Sequence, residues 1–370
     1  MGQTLSEPIK DKHSSEGSSA RFVFAASAMQ GWRISMEDAH TTENNINKDG
    51  SPEFGFFAVF DGHGGHTVAQ YAGKLLHTRI ADQEAFKKGD YAAALKQGFL
   101  ALDQELRDHQ EFRGDPAGCT AVTALITDDA IYVANAGDSR AVLGQNGNAI
   151  ALSEDHKPSN DHEQERITSA GGFVEFGRVN GNLALSRALG DFEFKQSPDL
   201  PPERQIVTAD PDIRQAKIEP DHEFLILACD GIWDCVSNED AVTYVRHQIA
   251  HGKTLKEICE DLMEQCVAPD SELGGVGCDN MTVIVVGLLH GKSVDEWYQH
   301  IRERYAATAS LNPPSITFAR RTVLLTPGQA ISATAEQPLL EPVATPAAAG
   351  AHGNSVPVAD SEADADNSSS

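Results

Sequence analysis

Short apolar runs punctuated by glycine, aspartate and asparagine dominate the middle of the chain. Phe22-Val23-Phe24-Ala25-Ala26, Phe57-Ala58-Val59-Phe60, Ile131-Tyr132-Val133-Ala134 and Phe224-Leu225-Ile226-Leu227-Ala228 each read as a strand bounded by turn residues. Thr120 to Ile126 alternates, and Met281 to Leu289 reads as one more strand. Helical spacing places Val68, Tyr71, Ala72, Leu75, Leu76 and Ile80 on one face. It does the same for Leu95, Phe99, Leu102 and Leu106 within Tyr91 to Asp108. A shorter helix is expected from Asp161 to Ala170, closed by Gly171-Gly172. Two more should open at Ser237 and Thr254, with Asp240 and Glu257 three residues on as in a capping box. Gln145-Asn146-Gly147 predicts a tight hairpin, because Asn and Gly both tolerate positive φ. Antiparallel pairs of this kind argue for layered antiparallel sheets rather than a doubly wound parallel one.

The two ends differ from the middle. Residues 1–20 are polar and Ser-rich and are expected to form a flexible N-terminus. Residues 21–292 carry the apolar pattern of a folded domain, and 293–306 fit one further helix. Residues 307–370 are rich in Ala, Pro, Ser and Thr and end in several acids; they are expected to be a disordered acidic tail.

Composition narrows the classes of function. Asp plus Glu number 55 against 29 Lys plus Arg, so the net charge is -26 and most of the surface repels nucleic acid phosphates. No apolar run reaches the roughly 18 residues of a membrane helix, and the polar start lacks the apolar stretch of a secretory signal. The six cysteines show no CxxC spacing and read as reduced thiols. These features lead us to expect a monomer in the cytoplasm or the nucleus. Gly2 followed by Ser6 fits the loose myristoylation pattern, so Gly2 is a candidate lipidation site with peripheral membrane contact if acylated. A single acyl chain would bind membrane only marginally.

The candidate chemistry sits at strand ends. Phe57 to Phe60 runs into Asp61-Gly62-His63-Gly64-Gly65, and Phe224 to Cys229 runs into Asp230-Gly231-Ile232-Trp233-Asp234. Glu37-Asp38, Asp138 and Asp279 occupy similar turns. In an extended segment Glu37 and Asp38 point to opposite faces, so one can enter a site while the other stays near its rim. All of these are hard oxygen donors, which favour magnesium or manganese over zinc. His63 and His66 make a weak zinc pair, because the glycines between them imply a turn and no further soft ligand is placed to complete a site. Arg33, four residues before Glu37, can pair with it or bind an anion. Spacing alone leaves two options open: scattered, solvated acids, or a cluster meeting around cations that offset its repulsion.

Seven motifs in order settle on one resemblance. They are Arg33-Ile34-Ser35-Met36-Glu37-Asp38, Phe60 to Gly65, Gly118-Cys119-Thr120-Ala121, Ala136-Gly137-Asp138-Ser139-Arg140, Leu183 to Asp191, Asp230 to Asp234, and Asp279-Asn280-Met281-Thr282. Over about residues 20 to 290 the chain resembles the eukaryotic metal-dependent protein phosphatases of the protein phosphatase 2C (PPM) family. The resemblance implies an α+β fold, a central antiparallel β-sandwich of two sheets flanked by α-helix pairs in α-β-β-α layers. It implies hydrolysis of phosphoserine and phosphothreonine in phosphorylated protein partners, with two Mn²⁺ or Mg²⁺ ions and a weaker third. Asp61 would bridge the two ions. The Gly62 carbonyl and Glu37 would support one of them, and Asp230 and Asp279 would hold the other. Asp38 would stand behind the ligands, and Asp138 and Asp234 would join Asp230 at the third position. The ions would activate a bridging water for direct attack on phosphorus. Arg33 would grip the phosphate and His63 would protonate the leaving oxygen. Arg178 is a candidate substrate contact beside the site, while Arg187 and Asp191 are expected to be structural. Two rivals remain. One is a catalytically silent phosphoprotein-binding regulatory member, which the intact Asp61, Asp230 and Asp279 disfavour. The other is a two-metal phosphodiesterase or nuclease, which the acidic surface disfavours.

Overall fold

Strand after strand in this chain is buried on both faces, which explains why the strands read as apolar runs. In Gly55–Phe60 all six residues are buried. Phe57 and Val59 face Phe22, Phe24, Leu225, Leu227, Ile284 and Val286 across a central core. Phe56, Ala58 and Phe60 point the other way, onto Val68, Ala72, Leu76, Phe99 and Leu102 of two helices. The computed structural model describes residues 4–48, 52–271, 275–308, 315–319 and 321–324. Its two largest sheets are antiparallel and pack face to face. One has six strands, in the order Thr4–Ser18, Phe22–Arg33, Met281–Leu288, His222–Ala228, Arg140–Gln145 and Asn148–Ala151. The other has five, in the order Asp212–Lys217, Ala130–Ala136, Ala121–Ile126, Gly55–Phe60 and Ala39–Glu43.

Helices cover both outer faces. Thr67–Ala81 and Tyr91–Asp108 lie on the five-stranded sheet. Asn238–Ala250, Leu255–Cys266 and Val294–Thr308 lie on the six-stranded one. The fold is thus the α-β-β-α sandwich expected. Fully burying one large apolar side chain in such layers contributes roughly 1.5–3 kcal/mol. Local signals hold where their chemistry is local. Asn146 and Gly147 turn the hairpin at φ 49° and 88°. Thr254 and Glu257 form a reciprocal capping box, and Ser237 accepts from the Asp240 N–H. No described helix is long and apolar enough to cross a membrane.

Both ends depart from expectation. The N-terminal segment read as flexible is instead an edge strand, Thr4–Ser18, paired antiparallel along Phe22–Arg33. It is held by backbone pairing and by polar contacts with the Leu255–Cys266 helix. Lys12 Nζ lies 2.5 Å from Glu264, and Ser14 Oγ donates to Glu260 at 2.7 Å. These contacts need no apolar pattern, so composition could not reveal them. Gly2 lies outside the described residues. In the region read as a disordered tail, Ser315–Phe318 and Arg321–Leu324 form a hairpin. Ile316 and Phe318 are buried in the core beneath the Asn238–Ala250 helix, with Phe318 edge-on to Tyr244. The Ala319 N–H donates to the Cys235 carbonyl at 2.7 Å, and Phe318 bridges to Val236. Residues 325–370 lie outside the described residues. Phe318→Ala should destabilise the protein by about 3 kcal/mol in urea unfolding, the usual cost of emptying a buried aromatic site. An unchanged midpoint would mean that this hairpin does not contribute to the core.

Candidate active site

The acids converge because the strands that carry them end at one edge of the sandwich. Gly55–Phe60 delivers Asp61, His222–Ala228 leads through Cys229 to Asp230, Met281–Leu288 is preceded by Asp279, and Ala130–Ala136 leads to Asp138. Asp61, Asp138, Asp230, Asp279 and Glu37 line a cleft of about 480 Å³ with Arg33, Gly62, His63 and Arg178. The repeated Asp-Gly has a packing cause. A Cβ on Gly62 would stand 2.2 Å from the Glu37 carbonyl oxygen, and one on Gly231 would stand 2.0 Å from that of Asn280. Only glycine lets each turn press onto the segment carrying the next acid. Thr120 ties two turns together. Its Oγ accepts from the Asp61 N–H at 3.0 Å and pairs with Ser139 Oγ at 2.7 Å, beside Asp138.

Asn280 was not singled out in its own right from sequence, yet it organises the rim. Its Oδ1 accepts from the Glu37 N–H at 2.9 Å, and its Nδ2 donates to the Gln30 and Ser35 carbonyls at 2.8 and 2.9 Å. Glu37 accepts from Ser35 Oγ at 2.7 Å and from the Gly65 N–H at 3.2 Å. Arg33 therefore does not take the Glu37 pairing that spacing allowed. Its Nη2 lies 2.5 Å from Asp279 Oδ2, and its side chain stays 44% exposed. Of the adjacent acids, Asp38 is the one turned inward. It is buried, and its Oδ2 accepts from Thr282 Oγ1 at 2.7 Å.

Charge is crowded here. Burial, then Asp38, Asp230, Asp279 and Asp138, raises the Asp61 carboxyl well above its ordinary range. Burial, then Asp138, Asp279 and Asp234, does the same to Asp230. Burial lifts Asp38 to about 6. Asp234 caps the turn Asp230–Trp233. Burial raises it, and Asp138, Asp155 and Asp279 add to the rise although Lys157 opposes them. Lys157, absent from the sequence reading, places its Nζ 2.5 Å from Asp138 Oδ2.

Cys229 is a correction. Spacing gave no reason to join a thiol to the acids, yet potential ligand atoms of Asp38, Asp61 and Cys229 lie within 4.8 Å of one another. The thiol stays protonated, because burial and the neighbouring Asp38, Asp61 and Asp230 push its pKa far up. Its Sγ is taken by the Thr282 N–H at 3.2 Å. The usable donors are therefore hard oxygens. Asp38 Oδ1 is buried without a hydrogen-bond partner among the described residues. Repelling carboxylates, hard donors and an orphaned oxygen fit divalent Mg²⁺ or Mn²⁺.

Asp191, expected to be structural, sets its Oδ2 2.7 Å from His63 Nε2 while only 3% exposed. Burial disfavours the charged imidazole, but Asp191, then Asp138 and Glu37, outweigh it and raise the His63 pKa. Gly118 makes room for the pair, since a Cβ there would meet Asp191 Oδ2 at 2.2 Å and His63 Nε2 at 2.7 Å. Arg187, expected to be structural, bonds buried Glu163 at 2.7 Å and Asp212 at 2.7 Å. Arg178 donates to the Asn182 carbonyl at 2.7 Å beside the cleft.

Fold and site together define an antiparallel sandwich protein with a carboxylate cleft suited to hard cations. The family model of protein phosphatase 2C matches residues 22–273, and the chain belongs to that family. It is 56% identical over 319 residues to protein phosphatase 2C homolog 2 of Schizosaccharomyces pombe, covering 85% of this chain and 86% of that one. It is 54% identical over 312 residues to the protein of the same name from Hypocrea jecorina, covering 83% and 71%. A solved serine-threonine phosphatase 2C from Toxoplasma gondii shares the fold, with a TM-score of 0.65 at 24% identity over 78% of this chain and 100% of that one.

Proposed function

We propose that this chain is a metal-dependent protein serine/threonine phosphatase that hydrolyses phosphoserine and phosphothreonine directly. The observation that carries this reading is the convergence of half-buried Asp61 and Asp230, both raised by burial and then by their acidic neighbours, on a cleft shared with Arg33 and the His63–Asp191 pair. Asp61, the Gly62 carbonyl and Glu37 would hold one Mn²⁺ or Mg²⁺ ion, and Asp61, Asp230 and Asp279 the second. Asp138 and Asp234 with Asp230 would take a weaker third. Bound there, such ions neutralise phosphate charge and lower the pKa of a water.

The chain's own groups do the rest. Asp38 stands behind Asp61 and fixes its surroundings through Thr282. Arg33 projects from the rim, where its planar fork suits phosphate oxygens. As water oxygen bonds to phosphorus, the bond from phosphorus to the serine or threonine oxygen breaks. His63, whose pKa Asp191 raises against the opposing effect of burial, would give that oxygen its proton. The products are the free hydroxyl and inorganic phosphate. Arg178 lines the cleft, where it would contact a protein substrate. We assign the protein to the cytoplasm or nucleus, with membrane contact conditional on acylation of Gly2.

The test is phosphate release from a phosphothreonine peptide by the full chain with Mn²⁺, with Mg²⁺ and with a chelator. Release with either ion and none with chelator is expected. A folded, cation-binding protein that releases nothing would be a silent phosphoprotein binder instead.

A further inference from the structure

A buried ion pair outside the acid cluster grips the segment that carries Asp191. Asp103 lies on the inner face of the Tyr91–Asp108 helix, among Leu95, Phe99, Leu102 and Leu106. It is 6% exposed. An ionised carboxylate on such a stripe is expensive unless fully bonded. Asp103 Oδ1 accepts from Lys195 Nζ at 2.7 Å and from the Gly190 N–H at 2.9 Å. The Lys195 side chain is 2% exposed, and its Nζ also donates to the Ala188 carbonyl at 2.8 Å. From the next turn of the helix, Arg107 Nη2 donates to the Lys195 carbonyl at 2.9 Å. These bonds all land on residues 188–195, on both sides of Asp191.

What they hold is a demanding backbone. Asp191 sits at φ 51°, in the left-handed region that non-glycine residues occupy uncommonly, and Gly190 precedes it at φ 77°. A Cβ on Gly190 would meet the Ala117 carbonyl oxygen at 2.6 Å, so the segment is pressed against Gly118–Cys119, the middle strand of a three-stranded sheet between Leu189–Gly190 and Gly62–His63. The Asp191 N–H donates to that same carbonyl at 3.2 Å. This placement sets Asp191 Oδ2 on His63 Nε2. As a stability device the pair is a poor choice, since well-packed apolar residues commonly replace a buried ion pair without loss. As a positioning device it has a clear use: directional bonds on either side of Asp191 fix where its carboxylate points.

We infer that Asp103 and Lys195 are positioning residues for proton donation by His63, acting through Asp191. This rests on the phosphatase reading, and in particular on His63 protonating the leaving oxygen. The readout is the leaving-group dependence of turnover. A threonine alkoxide needs the proton, whereas p-nitrophenolate leaves without help. The full chain with Mn²⁺ would be assayed on a phosphothreonine peptide and on p-nitrophenyl phosphate, in wild type, Asp103→Asn and the apolar double variant Asp103→Leu with Lys195→Met. The double variant should lower kcat on the peptide at least about tenfold more than on the aryl ester, with the peptide KM unchanged. Asp103→Asn keeps an acceptor for the Gly190 N–H and should fall between it and wild type. Equal losses on both substrates, or none, would overturn the inference and leave the pair purely structural. If the double variant fails to fold, the ratio in Asp103→Asn decides in the same way. Wild type inert on both substrates would overturn the phosphatase reading first, and this inference with it.

Discussion

Asp61→Asn should abolish cation-dependent phosphate release while making the chelated protein more stable. The activity loss should reach at least about 10³-fold, because the substitution removes the charge shared by both proposed ions and weakens the electrostatic stabilisation of the reacting phosphate. The stability gain follows from the same crowding. Asp38 stands near 6 against an ordinary 3.8, and Asp61 and Asp230 are raised well above theirs. An acid whose folded pKa is raised binds more protons folded than unfolded, so stability falls as pH rises from about 4 through the folded value. Groups with depressed values oppose this trend: Glu105 and Glu163, both near 2 against an ordinary 4.5, do so at lower pH, and His40, His77 and His222, pushed below 6.5 by burial, do so inside the window but equally in wild type and variant. Urea unfolding in chelator should therefore show wild type less stable at pH 7.5 than at pH 5. Asp61→Asn should flatten that slope and gain about 1–3 kcal/mol at pH 7.5, on the scale of 1.4 kcal/mol per pKa unit. Added Mn²⁺ should raise the wild-type midpoint and leave the variant nearly unmoved. Equal pH slopes in chelator would mean that the acids do not repel one another, and the cation-site argument would lose its physical basis.

The parts of the site legible in the chain are those whose signal is local. An apolar run ending in Asp-Gly announces Asp61 and Asp230, because a doubly buried strand and a turn that tolerates no Cβ are written in adjacent residues. The hairpin at Asn146-Gly147 is legible for the same reason. Asp191 was not, because its meaning lies in a partner 128 positions away. Nor was Cys229, whose proximity to Asp38 arises only when the two sheets stack. Asn280 stands in the Asp279-Asn280-Met281-Thr282 motif, but its local sequence gives no sign that three backbone groups depend on it. The end strands misled for an energetic reason. Thr4–Ser18 is held by pairing and by polar contacts with Glu260 and Glu264, and Ser315–Phe318 buries just two apolar side chains beside its backbone bonds. Composition reports bulk burial, and neither segment has enough of it to register.

His63→Gln should separate substrates by their leaving groups. Glutamine keeps a polar side chain near Asp191 but cannot deliver a proton as an acid. On a phosphothreonine peptide, kcat should fall by about 10²–10⁴-fold, the usual worth of positioned proton transfer. On p-nitrophenyl phosphate the fall should be far smaller, because the departing phenolate is stable without the proton. Mn²⁺ affinity measured calorimetrically should stay close to wild type, since His63 is bonded to Asp191 and not to the acid cluster. Asp191→Asn should show the same ordering with a smaller loss: an amide there can still orient the ring, but it no longer raises the pKa of His63. Equal losses on both substrates would remove His63 from the proton-donating role. A loss of Mn²⁺ affinity would instead make it a support for the cation ligands. The proposed roles of Asp61 and Asp230 would stand in either case, because they depend on the convergence of the strand ends and not on the histidine.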